Sequence, residues 1–451
     1  MPRTFTPSRR SFLGALAGSA GLAATGRVAA LSREPTVSLA RGPQTSPNDR
    51  IQIALIGAGG MGVEDAKTAL TVDGVQLVAV CDLYEGRLQA ARERWGQSIA
   101  TTRDYRELLD RRDIDAVIIG TPDHWHMTIA VDAMDKGKAV YCEKPMVHDI
   151  GEGAAVVAAQ QRSKVVFQVG SQGLSSLGNE KARDLLKAGA IGTLNYAEGF
   201  WARNSPVGAW QYAIPKDASE QTVDWDRFLG SAPKRPFDAT RFFRWRNYRE
   251  YGTGVSGDLF VHLFSSLHFI TGSMGPTSVM ASGGLRYWKD GRDAPDIMLG
   301  MFDYPETAAH PVFNLSLRVN FVDGTSGSTY LRLVGSAGAM DVGWDDVTLR
   351  ANKTWDPLRA TMEEFMDNPE PEGRKEMLPA TATVYKVERG YKGAHYDHFN
   401  NFFTAIRGGN PVVEEAVFGF RAAAPALACN QSYYERRAIR WDPVAMKLNA
   451  T

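Results

Sequence analysis

The sequence predicts an α/β chain in two parts, a doubly wound parallel sheet followed by an α+β domain, and three observations carry that prediction. Short apolar runs alternate with helical stretches from about residue 50 to residue 170. The first of these runs, Ile51 to Ile56, opens directly into Gly57-Ala58-Gly59-Gly60-Met61-Gly62. Beyond residue 170, β-forming runs follow one another with few helices between them. Strands that alternate with helices form βαβ units and lie side by side in parallel. Strands in direct succession pair instead in an antiparallel or mixed sheet.

In the first part, strands are expected at Ile51 to Ile56, Val75 to Cys81, Ala116 to Gly120, Ala139 to Cys142 and Val165 to Val169. Helices are expected at Val63 to Thr71, Arg87 to Trp95, Tyr105 to Leu109, Met127 to Lys136 and Gly153 to Arg162. The glycine turn after the first strand points to a dinucleotide. Gly57 permits the bend, Gly59 lets backbone N–H groups approach a pyrophosphate, and Gly62 lets the next helix pack close; Gly60 and Met61 complete the turn. The helix N-terminus then favours the phosphates' negative charge. Asp82 ends the second strand, 25 residues after Gly57. A carboxylate there accepts hydrogen bonds from an adenosine ribose diol and repels a 2′-phosphate, so NAD is expected in preference to NADP.

In the second part, a helix at Asn179 to Ala188 precedes strand-like runs at Leu194 to Arg203, Thr277 to Tyr287, Ile297 to Tyr304, Val312 to Phe321, Ser328 to Gly335 and Met340 to Val342. Residues 351 to 392, with Asn368-Pro-Glu-Pro-Glu-Gly373, read as an extended surface excursion. His398 to Arg407 and Phe418 to Tyr434 read as closing helices. The expected division is a signal at 1–30, a linker at 31–49, a nucleotide-binding domain at 50–170 and a substrate domain at 171–445.

The signal rests on Ser8-Arg9-Arg10-Ser11-Phe12-Leu13 ahead of a mildly apolar Gly/Ala-rich run from Gly14 to Ala24. That is a twin-arginine pattern, implying the Tat machinery as a partner, export to the periplasm, and cleavage after Ala30. The full chain balances 51 basic against 51 acidic residues, which gives no electrostatic support for nucleic-acid or anionic-membrane binding. No later run has the ~18 apolar residues of a membrane span. Cys81, Cys142 and Cys429 read as small buried hydrophobes without disulfide or metal spacing.

Ligands of doubly wound sheets bind beyond the carboxyl ends of the strands. Three places qualify: Gly120-Thr121-Pro122-Asp123-His124-Trp125-His126, Glu143-Lys144-Pro145-Met146, and Gly170-Ser171-Gln172. The first is a polar loop able to close over a nicotinamide. Thr121, Pro122, His126, Glu143, Lys144 and Gln172 are therefore candidate cofactor residues. A lysine at Lys144 can also stabilise the oxyanion that forms as hydride departs. Downstream, Asp258 and His262 lie at i and i+4 of an expected helix, where a carboxylate can orient an imidazole that takes a hydroxyl proton. The plainer reading makes Asp258 a helix cap and His262 a core residue. Trp201, Arg244, Trp245 and Arg246 are candidate substrate contacts, since aromatic faces and guanidinium groups suit polyhydroxylated ligands. No metal is expected at the His124/His126 pair, which has no supporting carboxylate or cysteine cluster.

Together, Gly57 to Gly62, Val80-Cys81-Asp82, Thr121 to His126, Glu143-Lys144-Pro145 and Gly257-Asp258-Leu-Phe-Val-His262 resemble the Gfo/Idh/MocA oxidoreductase family in order and spacing, from about residue 50 to 445. The segment Tyr396 to Gly408 is similar to that family's closing helix. The resemblance implies a Rossmann domain, a C-terminal domain on a large, mostly antiparallel open sheet, and dimers or tetramers formed through that sheet. It also implies Lys144, Asp258 and His262 as the catalytic set and a sugar, inositol or related polyol as substrate. Export with a tightly held nucleotide would resemble the glucose-fructose oxidoreductases, although those favour NADP and Asp82 argues for NAD. Two alternatives stay open: a redox-neutral NAD-dependent glycoside hydrolase or lyase, and a non-catalytic exported nucleotide or sugar binder.

Overall fold

The computed structural model describes residues 27–31, 50–324, 329–351 and 381–449. The twin-arginine motif, the linker from residue 32 onward and residues 352–380 of the expected excursion lie outside them. Arg27–Leu31 forms strand β1, which pairs in parallel with Thr381–Val387. The expected boundary after Ala30 thus falls inside a strand, and the 351–392 stretch contains one instead of being irregular throughout.

The nucleotide-binding sheet has six parallel strands: β2 (Ile51–Ile56), β3 (Val75–Cys81), β4 (Ala100–Thr102), β5 (Ala116–Ile119), β6 (Ala139–Glu143) and β7 (Phe167–Gly170). Their spatial order is β4-β3-β2-β5-β6-β7. The order reverses between β2 and β5, which opens a crevice at the carboxyl end of β2, where the glycine turn lies. The central strands read as continuous Val/Ile/Ala runs because both of their faces are covered. Helices α1 (Gly60–Ala69), α2 (Glu85–Trp95), α3 (Tyr105–Leu109), α4 (His126–Asp135) and α5 (Gly153–Ser163) follow successive strands. After them comes α6 (Leu177–Lys187), capped by Ser176 Oγ accepting from Asn179 N.

The second sheet has eleven strands. They are β1, β8 (Leu194–Ala202), β9 (Ser278–Gly284), β10 (Ile297–Tyr304), β11 (Phe313–Asn320), β12 (Thr329–Gly335), β13 (Gly338–Val342), β14 (Asp346–Ala351), β15 (Thr381–Val387), β16 (Ile439–Asp442) and β17 (Lys447–Leu448). Their order is β1-β15-β14-β13-β12-β8-β11-β10-β9-β16-β17, antiparallel except at β1/β15 and β8/β11. The sheet's apolar side packs on α9 (Val261–Thr271), through Leu263, Phe264 and Leu267. On β9 and β10 the opposite side leaves Met280, Leu299 and Met301 exposed at 47%, 45% and 58%.

Two features depart from the sequence reading. Helix α10 (Ala394–Ile406) returns to the first sheet and buries Phe399, Phe402 and Phe403 against it, so the two parts are not divided cleanly at residue 170. The long helix α11 (Ala416–Glu435) likewise places Phe420 in the first part's core and Cys429 in the second's. The aromatic stretch between the parts, with short helices α7 (Trp225–Leu229) and α8 (Ala239–Phe243), makes a core of its own. Trp225 and Phe228 stack there at 5.0 Å, with Phe242 and Tyr251 packed around them.

Candidate active site

The glycine turn has the shape a dinucleotide requires. Gly57 adopts φ +93°, and a Cβ there would come within 2.6 Å of the Gly120 carbonyl. A Cβ on Gly62 would come 2.0 Å from the Gly57 oxygen. These two glycines, with Gly120 across the crevice, let β2, α1 and the end of β5 approach closely. Helix α1 follows Gly59 with no side-chain cap and no acid in its first turn, and a Cβ at Gly60 would meet nothing within 4 Å. The first N–H groups of α1 are thus open to an anion. Asp82 is buried, with its carboxylate accepting from Tyr84 N at 2.9 Å and Ala58 N at 2.8 Å. These backbone donors hold it beside the turn. Sequence reasoning missed Arg87, whose guanidinium lies 3.4 Å from Asp82 and over the Phe242 and Phe243 rings at 5.6 and 5.5 Å.

The three loops beyond the strands are tied to one another. His126 sits between the Thr121 carbonyl at 3.0 Å and the Pro145 carbonyl at 2.7 Å, so it braces the first loop against the second. Pro122 precedes the short 3₁₀ turn Asp123–Trp125. Asp123 accepts from Thr253 N and Oγ1 at 2.9 and 2.8 Å, joining that turn to the second part. His124 reaches the Phe228 carbonyl at 2.8 Å, and burial pushes its pKa down to about 4. Glu143 ends β6 and accepts from Gln172 Nε2 at 2.9 Å. Gly170 makes room for it, since a Cβ there would come 2.5 Å from Glu143 Oε1. Burial, then the neighbouring Asp65, raises the Glu143 pKa well above the carboxylate range.

Lys144 leaves the strand end in the other direction. Its Nζ donates to the Asp258 carboxylate at 2.9 Å and to the Asp258 carbonyl at 2.8 Å. Arg246 Nε reaches the same carboxylate at 3.3 Å. Burial works against the Asp258 charge, but Lys144, Arg246 and Arg203 outweigh it and hold the acid far below its usual range. Here the structure differs from the i, i+4 expectation. Ser256–Phe260 is a π-helical turn, so Asp258 lies in a widened coil that precedes α9. Its carboxylate meets Lys144 and Arg246, and the His262 imidazole stacks on Trp201 instead, at 5.2 Å and 29°. His262 Nδ1 is buried without a hydrogen-bond partner among the described residues. Burial, then the Lys144 charge, pushes the His262 pKa well below its ordinary value.

Of the other substrate candidates, Trp201 and Arg246 reach this cluster. Trp245 lies under the Arg246 guanidinium at 4.2 Å. Arg244 bonds the Tyr212 carbonyl at 2.8 Å and the Gln211 side chain, and so braces that loop. Sequence reasoning missed Trp344, in the turn between β13 and β14, whose ring stands 6.3 Å from that of His262. Gly173 accommodates it, since a Cβ there would come 2.3 Å from the indole. Among the described residues, no group of three or more His, Cys, Asp or Glu is placed to hold a metal. Likewise, none of their helices is long and apolar enough to cross a membrane.

A glycine turn at a topological switch point, an acid after the second strand and a lysine beyond the fifth define a dinucleotide-binding protein with a substrate domain attached. The comparisons place it more narrowly. The chain belongs to the GFO_IDH_MocA oxidoreductase family: residues 51–171 match its NAD-binding Rossmann fold and residues 183–441 its C-terminal alpha/beta domain. It is 31% identical over 144 residues to the inositol 2-dehydrogenase of Salmonella typhimurium, covering 32% of this chain and 43% of that one. It is 28% identical over 188 residues to a glycosyl hydrolase family 109 protein of Shewanella baltica, covering 39% of each chain. These alignments thus span less than half the length of either relative. The WlbA dehydrogenase from Bordetella pertussis, solved in complex with NADH and UDP-GlcNAcA, shares the fold at TM-score 0.65 and 16% identity, over 87% of this chain and 98% of that one.

Proposed function

We propose that this chain is an NAD-dependent oxidoreductase acting on a CH–OH group of a carbohydrate or polyol. The observation that carries the reading is the 2.9 Å meeting of Lys144 and Asp258, brought from different parts of the chain to the strand ends. The His262 imidazole lies beside them on Trp201. Gly57 to Gly62, Asp82, Thr121, Glu143 and Gln172 would hold the nucleotide, which when bound accepts hydride from the substrate carbon. His262, kept neutral by burial and by Lys144, takes the hydroxyl proton. Two of the three Lys144 ammonium donors go to Asp258, which leaves the third for the substrate oxygen as its negative charge develops. Asp258 acts as the positioning group for Lys144. The names of the inositol dehydrogenase and of the WlbA complex support a carbohydrate-like substrate. Sugars and polyols added to purified protein should change the absorbance of the reduced nicotinamide. A protein that binds no NAD, or whose NAD no sugar alters, would refute the reading.

The similarity to glycosyl hydrolase family 109 favours a second reading, in which oxidation, elimination and re-reduction cleave a glycoside with no net redox change. Turnover of a glycoside in the absence of any acceptor separates the two.

We also infer that the protein is exported by the Tat route with its nucleotide already in place and works as a dimer or tetramer. The twin-arginine motif supports the first inference, and the exposed Met280, Leu299 and Met301 of the open sheet support the second. Native mass spectrometry of protein recovered from the periplasm tests both. It should give an oligomer that releases NAD only on denaturation.

A further inference from the structure

The substrate end of the site carries more positive charge than its acids neutralise. Lys144, Arg246 and Arg203 all act on the Asp258 carboxylate and Asp123 acts on Arg246, so three cations face two carboxylates. Arg203 lies two residues beyond Trp201 along the β8 direction, so the two side chains leave on the same side of the strand. Its backbone is pinned on both sides, by Arg203 N donating to the Asn320 carbonyl and Asp323 N donating to the Arg203 carbonyl, at 2.9 and 3.0 Å. Arg246 is set by its neighbour Asn247, whose carbonyl accepts from Asp293 N and Ala294 N at 3.1 and 3.2 Å. The guanidinium groups themselves lie over aromatic rings, that of Arg203 over Phe321 at 5.5 Å and that of Arg246 over Trp245 at 4.2 Å.

Neither guanidinium is saturated. Arg203 donates to the Gly208 carbonyl at 3.0 Å and Arg246 to Asp258 at 3.3 Å, and no other side-chain hydrogen bond of either is made among the described residues. A guanidinium has five N–H donors in a planar fork that matches a carboxylate. The pyrophosphate of the nucleotide has its own place at the start of α1, so these donors are not needed there. Two aromatic rings, Trp201 and Trp344, flank His262 at 5.2 and 6.3 Å and offer apolar faces to the C–H side of a sugar ring.

Building on the carbohydrate reading above, we propose that the substrate is an acidic sugar, a hexuronate or aldonate, whose carboxylate is bound by Arg203 and Arg246. Its hydroxylated carbons then lie toward Lys144 and His262. An anion brings the local charge toward balance, and a neutral sugar would leave both guanidinium groups to water.

The test is calorimetric titration of the NAD-loaded protein at pH 7 with matched pairs: glucuronate and glucose, galacturonate and galactose, gluconate and glucitol. At least one acid should bind about 10- to 100-fold tighter than its neutral partner, the range of a charge-assisted bond. That preference should shrink as salt is raised. Arg203→Gln should remove most of it, and Arg203→Lys should retain part. Neutral sugars that bind as well as the acids, or a panel in which no acid binds, would overturn the proposal. Nicotinamide absorbance read on the same mixtures reports separately on the oxidoreductase reading. Acid binding without any redox change would sink that reading and leave the charge preference standing.

Discussion

Glu143 and Lys144 are adjacent in the chain and enter two buried clusters of opposite character. Glu143 faces Gln172, with the Asp65 and Glu414 carboxyls nearby, and burial pushes its pKa up. Lys144 faces Asp258, whose charge is enforced. The two acids are equally buried, at 5% exposure each. Burial alone therefore does not decide whether a carboxyl keeps its charge here. What differs is direct contact: Lys144 and Arg246 hydrogen-bond the Asp258 carboxylate at 2.9 and 3.3 Å, whereas Glu143 accepts from the neutral Gln172 amide and has the Asp65 carboxyl against it. One side of the strand end is built to stabilise charge that develops during reaction, and the other to suppress it.

The sharpest way to break this contrast is to replace each acid by its amide. Asp258→Asn strands Lys144, Arg246 and Arg203 without their counter-charge. A loss of about 3–5 kcal/mol of stability is expected, as for one partner removed from a buried ion pair. Denaturant melts at pH 7 would measure it, and a loss below about 1 kcal/mol would mean the cluster is wetter than its burial implies. Next in size is Lys144→Met, for which kcat/KM should fall roughly 10²–10³-fold, as when one oxyanion donor is removed. Removal of that charge also takes away the second cause of the low His262 pKa. The acid limb of the pH–rate profile should then move upward toward the ordinary histidine value, a shift that a purely structural role for Lys144 would not produce.

How much of this was legible in the sequence depends on what each feature is made of. Strands β2, β3 and β10 and the glycine turn were read to the residue, because continuous burial or strict alternation is a local signal and Gly57 has a local steric reason. The motifs also marked Lys144, Asp258 and His262. Their pairing was not legible, because an i, i+4 spacing assumes an α-helix and the chain makes a π turn at Ser256–Phe260. Strands β4, β14 and β15 were missed. The first has three residues and β15 buries none of its side chains, whereas β14 alternates with Val347 and Leu349 buried and was passed over for its shortness. Trp344 left no signal, since it lies in a hairpin turn. Only the tertiary fold brings it to His262.

Glu414 gives a third, smaller test on the suppressing side. It accepts from Ser265 Oγ at 2.8 Å, and burial raises its pKa to about 8. A folded pKa above the unfolded value means that the native state holds the proton more tightly. Stability is then full below the unfolded pKa and is lost as pH rises toward 8. Between pH 5 and pH 7 this group should withdraw about 2 kcal/mol. Glu414→Gln should flatten that part of the stability–pH curve, and an unchanged slope would show that Glu414 is ionised in the fold.

Glu143→Gln should have the smallest effect, and it completes the comparison. A protonated carboxyl and an amide have the same shape, and each offers a carbonyl oxygen to Gln172 Nε2. At pH 6 the substitution should cost no more than about 1 kcal/mol, the scale of one rearranged hydrogen bond. As pH rises out of the ordinary carboxylate range, the balance moves in the variant's favour. The native Glu143 must be ionised beside Asp65 as pH climbs through its raised pKa, whereas the amide has no proton to lose. The thermal midpoints of the two proteins should therefore diverge with rising pH, the variant melting higher. If Glu143→Gln instead costs as much as Asp258→Asn at pH 6, Glu143 is charged in the fold and the two sides of the strand end are alike.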